Sequence, residues 1–353
     1  MVDTMALLQA FTRASRVREK TGTALPVALV LSPDTEVLLD APDEVLGPVL
    51  VGAAGGDPAP AVGLLAATRH RGAWELRDRY VRKLAVFARS RPEWLDTWRA
   101  LDPDSPDGLL VEAQRAVHRA WDSPVRVELL REVSPLITAA ARADHRDPVP
   151  WRLALDHARG ARAGHRYFQE LWEAAVRRAP HHHGCHVAAL RYLSSSWQGA
   201  HLVCFDFADR AAQDAPDGSL TQALPLRAAF GYLTDGGGPA VPRERLDAAA
   251  DRALALSARL PAAHPRPAGL RNLLAYVLLR LERGPDALEQ LRLTGPYATS
   301  TPWDREAEDP LGRFLEVRRS LSEAMAAGPA GASSAGSWHP RSERGRRVRF
   351  GDH

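Results

Sequence analysis

Along most of the chain, apolar positions recur at intervals of three and four residues, the spacing of amphipathic helices rather than of strands. From Ala61 to about Gly328 one such segment follows another. The breaks fall at Gly72, Pro92, Pro103–Pro106, Pro124, Pro148–Pro150, Gly164, Pro180, Gly199, Pro216–Gly218, Gly236–Pro242, Pro261–Pro267, Gly284–Pro285 and Gly295–Pro310. Glycine loosens the backbone and proline removes an N–H, so both punctuate helices. No sustained polar–apolar alternation appears, which excludes a β-sheet core.

Three segments predict how the helices pack. In His165–Ala179, Tyr167, Phe168, Leu171, Trp172, Ala175 and Ala179 form one face, opposite Arg166, Gln169, Glu170, Glu173 and Arg177. That helix buries one side. In His201–Gln213 the polar positions Asp206, Asp209, Arg210 and Gln213 form a narrow stripe, which places the helix between neighbours. Leu270–Leu281 is more apolar still. Such a mixture predicts an all-α fold of stacked antiparallel helix pairs, a TPR-like α-solenoid in which each pair docks on the next. Arg178-Ala-Pro180, Asp214-Ala-Pro216 and Arg259-Leu-Pro261 echo one another at helix ends. The best match to a tetratricopeptide unit is Leu274, Ala275, Leu278, Gly284, Ala287 and Leu291, with small Ala275 and Ala287 permitting close approach. Phe168 departs from that pattern, which prefers alanine there.

Residues 1–60 differ in kind. Asp3–Lys20 reads as an amphipathic helix capped by Asp3. Beyond it lies an irregular arm, or a short hairpin of Val27–Leu31 with Val37–Leu39, and Gly52–Pro60 reads as a linker. The domain reading is therefore 1–60 as helix and arm, 61–327 as helical repeat, and 328–353 as a disordered basic tail.

Charge narrows the choice of partner. The chain of 353 residues carries 46 Lys and Arg against 43 Asp and Glu. The whole excess of +3 resides in the tail, in Arg341, Arg344, Arg346, Arg347 and Arg349 set against Glu343 and Asp352. A neutral body is a poor phosphate-backbone binder, so nucleic acid is expected only as a weak contact of Arg341–Arg349. Two lysines, one isoleucine and one asparagine mark GC-rich, actinobacterial-type coding, which discounts the abundance of arginine. Two cysteines, no signal-peptide pattern and no long apolar run point to a cytoplasmic protein without a membrane span.

The stretch Tyr192–Ala208 holds Trp197, Gly199, His201, Phe205, Phe207 and Ala208 in a pattern that resembles the bacterial family called domain of unknown function 4034. Leu273–Trp303, with Gly295-Pro-Tyr297 and Pro302-Trp303, also looks like actinobacterial members. The resemblance covers about residues 150–303. It implies a helical-repeat fold and no established activity. Ala200, Leu202 and Cys204 stand where the family pattern has serine, glutamate and methionine.

Each candidate chemistry has a plainer rival. In His181–His186, the residues His182, Cys185 and His186 are zinc-ligand types, yet Gly184 interrupts them and no second ligand pair stands at finger spacing. Ser194–Ser196, His201 and Asp206 contain the types of a nucleophilic triad without an elbow motif. Asp206 with Asp209 reads as a solvated face, and Asp235–Pro239 as a loop without a phosphate-loop ending. Trp94 with Trp98 and Phe168 with Trp172 read as inter-helix contacts. The expectation is a non-enzymatic scaffold for an unknown protein or peptide, with no cofactor and a candidate binding loop at Trp197, Gly199 and His201. The alternative is a metal-binding protein or metal-dependent enzyme using His181–His186.

Overall fold

A computed structural model describes residues 31–196, 201–235 and 240–326. The chain is all-α and divides into two compact units. One unit comprises residues 44–241. Its helices are α1 (Leu46–Ala54), α2 (Ala59–His70), α3 (Trp74–Ser90), α4 (Glu93–Leu101), α5 (Pro106–Trp121), α6 (Arg126–Ala143), α7 (Val149–Gly160), α8 (His165–Arg178), α9 (His183–Ser196), α10 (His201–Asp214) and α11 (Leu224–Asp235).

The prolines that break the pattern mostly begin helices. Pro60, Pro106 and Pro150 occupy the first turn of α2, α5 and α7, where an N–H would have no intrahelical partner. Ser105 caps α5 by accepting the Gly108 N–H at 3.4 Å. Gly72 has φ +63°, a left-handed turn that reverses the chain between α2 and α3.

Within this unit α3 packs on α5, α5 on α7, α7 on α9 and α9 on α11. The helices between them, α4, α6, α8 and α10, pack against their sequence neighbours and form a second row. Helix α3 also touches α7 and α9, so it is shared by more than one repeat step. Trp94 and Trp98 are buried 6.3 Å apart, and Phe168 stacks on Tyr192 at 3.8 Å.

The packing expectations hold in part. In α8, Phe168, Leu171 and Ala175 are buried as expected, but Tyr167 is 47% exposed. In α10 the narrow wet stripe is corrected, because Leu202 is 38% and Val203 43% exposed. The helix belongs to the second row and rests on α9 and α11, which leaves its far side open.

The other unit joins residues 31–43 to residues 242–326. It contains α12 (Arg243–Ser257), α13 (Ala268–Arg280), α14 (Gly284–Thr294), the short α15 (Ser300–Trp303) and α16 (Pro310–Ala326). Helix α13 is buried on nearly every side, and Ala275 and Ala287 are inaccessible where α13 meets α14. The strand β1 (Leu38–Leu39) pairs in parallel with β2 (Tyr297–Ala298), far away in sequence, while residues 27–30 of the expected hairpin are not among the described residues. Pairing with a distant strand leaves no local signal. The linker is corrected, since Gly52 lies inside α1 and, among the described residues, the α-helices start at Leu46 rather than Ala61. The segment Asp3–Lys20, residues 27–30 and the tail lie outside the described residues.

Arg271 organises this unit. It is fully buried, and its guanidinium donates to the carbonyls of Ser257 (3.1 Å), Leu260 (2.9 Å), Pro261 (2.8 Å) and Leu293 (2.8 Å) and to Ser257 Oγ (3.0 Å). These acceptors lie at the C-terminal ends of α12 and α14, where helix dipoles are negative. One cation thus holds two helix ends through backbone oxygens. The lone asparagine acts similarly. Asn272 Nδ2 donates to Ala268 and Tyr297 carbonyls, and Oδ1 accepts from Trp303 Nε1 at 2.8 Å. Replacing Arg271 by Met keeps volume but strands those carbonyls. Urea unfolding is expected to show a loss of about 3 kcal/mol or more; a loss below about 1 kcal/mol would contradict the role assigned to Arg271.

Candidate functional site

The polar centre of the larger unit starts on α3. Glu75 and Asp78 stand three residues apart, so they share a helix face. That face meets the N-terminus of α9, whose first N–H groups have no partners within their own helix. The His183 N–H donates to Glu75 Oε1 at 2.7 Å. The Cys185 N–H donates to His182 Nδ1 at 3.2 Å, so His182 serves as a cap. A Cβ on Gly184 would lie 2.4 Å from Asp78 Oδ2, so only glycine permits this approach.

Asp78 is held in turn by α7. Arg152 Nε donates to Asp78 Oδ1 at 2.7 Å, and Arg82 reaches Oδ2 at 3.1 Å. Arg152 also pairs with Asp156 at 3.1 Å. Beside it, Arg77 lies between Asp107 of α5 and Asp147, each at 2.6 Å, and donates to the Leu65 carbonyl at 3.1 Å. Asp147 Oδ1 accepts the Val149 N–H at 2.8 Å and caps α7. Arg77, Asp78, Asp107, Asp147 and Arg152 are all buried. Burial works to raise the Asp78 carboxyl, but Arg152 and Arg82 hold it down at about 2. Burial wins at Asp147, which is raised despite Arg77.

The zinc-type residues fall at this junction. His182 Nδ1 is 3.1 Å from Cys185 Sγ, and Sγ lies 3.7 Å from the Pro148 carbonyl. Because Nδ1 accepts the Cys185 N–H, the ring proton sits on Nε2, which faces the Trp74 carbonyl at 3.4 Å. Cys185 is inaccessible, and burial drives its thiol well above the ordinary range. A nucleophile needs a thiolate and a path for substrate, and this thiol has neither. His186 turns away: its Nδ1–H donates to the His182 carbonyl at 3.0 Å, and its ring packs edge-on to Trp172 at 5.0 Å. Among the described residues, no three His, Cys, Asp or Glu side chains gather around a common point for a metal.

The triad types do not assemble either. Ser194 Oγ is 3.4 Å from Cys204 Sγ, His201 is buried edge-on to Tyr232 at 5.2 Å, and Asp206 is exposed. The side chains of Ser195 and Ser196, with Trp197, Gly199 and residues 236–239, lie outside the described residues.

An accessible cleft opens beside the buried centre. It has a volume of about 340 Å³ and lies between Trp172 and Val176 of α8 and Phe207, Arg210 and Asp214 of α10, with His186 beneath. Trp172 and Phe207 meet edge to face at 5.4 Å, and His186 lies 6.1 Å from Phe207. Burial lowers the His186 pKa, so the floor is a neutral imidazole at neutral pH. The walls are aromatic and the rim carries both signs of charge. The sequence reading set Arg210 on a polar stripe and did not group it with Phe207 and Asp214. Nor was their juxtaposition with α8 visible there.

No family model, curated protein or solved structure matches the chain.

Two outcomes follow from this geometry. Both thiols are buried, so Cys185 and Cys204 should resist a maleimide at pH 7.5 in the folded protein and react fully in denaturant; rapid labelling of native Cys185 would contradict the geometry. Asp78 has its folded pKa depressed from 3.8 to about 2, so its stabilising contribution is complete above pH 3.8 and fades as pH falls through about 2. The stability difference between wild type and Asp78→Asn, measured by urea unfolding, should therefore shrink across that window. A constant difference would contradict the pairing.

Proposed function

We propose that the protein is a non-enzymatic helical-repeat scaffold, its helix pairs TPR-like, that receives a peptide segment of a partner protein in the cleft between α8 and α10. The observation that carries this reading is the aromatic cleft itself: Trp172 and Phe207 form walls, His186 a floor, and Arg210 with Asp214 a charged rim. Rigid aromatic walls with a polar edge suit an apolar side chain flanked by polar backbone. The reading also draws support from chemistry already engaged in structure. The His182 imidazole and the Glu75 carboxylate serve the N-terminus of α9, the buried thiol lies between His182 Nδ1 and the Pro148 carbonyl, and Asp78 is paired with Arg152. The metal-binding alternative rests on the His181–His186 cluster, in which His182 Nδ1 already accepts the Cys185 N–H and caps α9. Kinship with the domain of unknown function 4034 proteins and a cytoplasmic setting belong to the same proposal.

Selection from a displayed peptide library against the full chain tests it. Enriched peptides should bind with Kd of about 10 μM or tighter. Ala211→Trp, which fills the cleft from α10, should weaken them tenfold or more while Tyr167→Ala leaves them unchanged. Failure to enrich any sequence, or equal binding by Ala211→Trp, overturns the assignment.

A further inference from the structure

The charges on the rim of the cleft are not spent on each other. Arg210 and Asp214 stand four residues apart on α10, the spacing at which opposite charges on a helix meet. Elsewhere in the chain the same order of arginine and aspartate closes, at 3.1 Å for Arg152–Asp156 and 2.9 Å for Arg243–Asp247. On α10 it stays open. Arg210 spends Nε on the Asp206 carbonyl, one turn back, at 3.0 Å. Its two terminal nitrogens and the Asp214 carboxylate neither hydrogen-bond nor pair with any described residue. Asp214 is also the last residue of α10, where the helix dipole is negative and an acid is disfavoured.

A third group in the cleft is also unspent. His186 lines it and is only 5% exposed. Its Nδ1–H goes to the His182 carbonyl, so Nε2 of the neutral ring carries a lone pair. No described residue donates to that nitrogen. The Phe207 ring lies 6.1 Å from the His186 ring, and Arg210 and Asp214 follow Phe207 at i+3 and i+7 on one face of α10. A space of about 340 Å³ therefore holds an aromatic end, a cation, an anion and a neutral acceptor, all within reach of one small molecule.

The charges restrict what that molecule can be. A phosphate would suit Arg210 but meet Asp214, and a plain cation would suit Asp214 but meet Arg210. An uncharged apolar group fills the aromatic end and leaves both charges unmet. A zwitterion satisfies both. Its carboxylate takes the guanidinium fork, and its ammonium has three N–H groups for Asp214 and for Nε2. We propose that the cleft binds a free α-amino acid with an apolar side chain, its carboxylate on Arg210, its ammonium on Asp214 and His186, and its side chain against Trp172 and Phe207. The proposal rests on the cleft of the peptide reading, where amino acid and peptide compete, but its ligand is a different molecule.

Fluorine NMR of the full chain labelled with 5-fluorotryptophan tests the proposal, the Trp172 resonance being assigned by its loss in Trp172→Phe. The probes, at pH 6.5 and constant ionic strength, are L-phenylalanine and L-leucine, the amide of each, which lacks the carboxylate, and the N-acetyl form of each, which lacks the ammonium. At least one amino acid should shift the Trp172 resonance saturably, with Kd of about 1 mM or tighter. Its amide and its N-acetyl form should each bind about fivefold or more weakly. Arg210→Gln, at an exposed position, should weaken the amino acid about fivefold and its amide less than about twofold. Asp214→Asn, also exposed, should do the same to the amino acid and spare its N-acetyl form. No saturable shift with either amino acid, equal affinity for the derivatives, or unmoved affinity in either variant overturns the site. Amino-acid binding beside a failed library selection ends the peptide reading and keeps this one. Enriched peptides that shift Trp172 where neither amino acid does so end this one and keep the peptide reading.

Discussion

The larger unit depends on how the positive end of α9 is received. A helix N-terminus brought into a protein interior carries unpaired N–H groups and a partial positive charge. Here α3 meets it with Glu75 and Asp78, and α7 steadies Asp78 through Arg152. Three helices separated by long stretches of chain are therefore joined at one point. The cost is the burial of formal charges, which is tolerable only because each is paired and hydrogen-bonded. Removing one member leaves its partner uncompensated, so the network specifies one arrangement of α3, α7 and α9 rather than merely adding cohesion.

The smaller unit meets a related demand with different groups. Arg271 faces carbonyls rather than carboxylates, and it gathers the C-terminal ends of α12 and α14. Burial lowers its pKa. In one unit carboxylates neutralise a helix beginning, and in the other a guanidinium neutralises helix endings. Both follow from the direction of the peptide dipole.

These structural uses of charge decide what remains for recognition. His182 and Cys185 have the types of reactive residues, but their polar atoms are committed to backbone groups inside the protein. The groups that face solvent between α8 and α10 are of another kind: aromatic walls with a mixed-charge rim. The proposed function places a ligand in the aromatic cleft.

Helix boundaries were legible because their causes are local. Pro106, Gly72 and Pro150 mark turns of the chain wherever they occur, and the apolar density of α13 already implied burial on all sides. Exposure of Leu202 and Val203 escaped because the periodicity of α10 does not say which neighbours exist to cover it. Likewise Leu38–Leu39 found a partner at Tyr297–Ala298, and nothing near the arm could announce it. Nothing in the sequence singled out Arg77, Asp78, Asp107, Asp147 and Arg152 in a chain rich in arginine, and their burial became visible only once α3, α5 and α7 were together. By itself the sequence determined that the chain from Ala61 onward is helix after helix and where proline and glycine break it, since those follow from periodicity and backbone chemistry. Tertiary structure alone decided which charges are interior and which aromatics are accessible, because solvation of a side chain depends on neighbours that are remote along the chain.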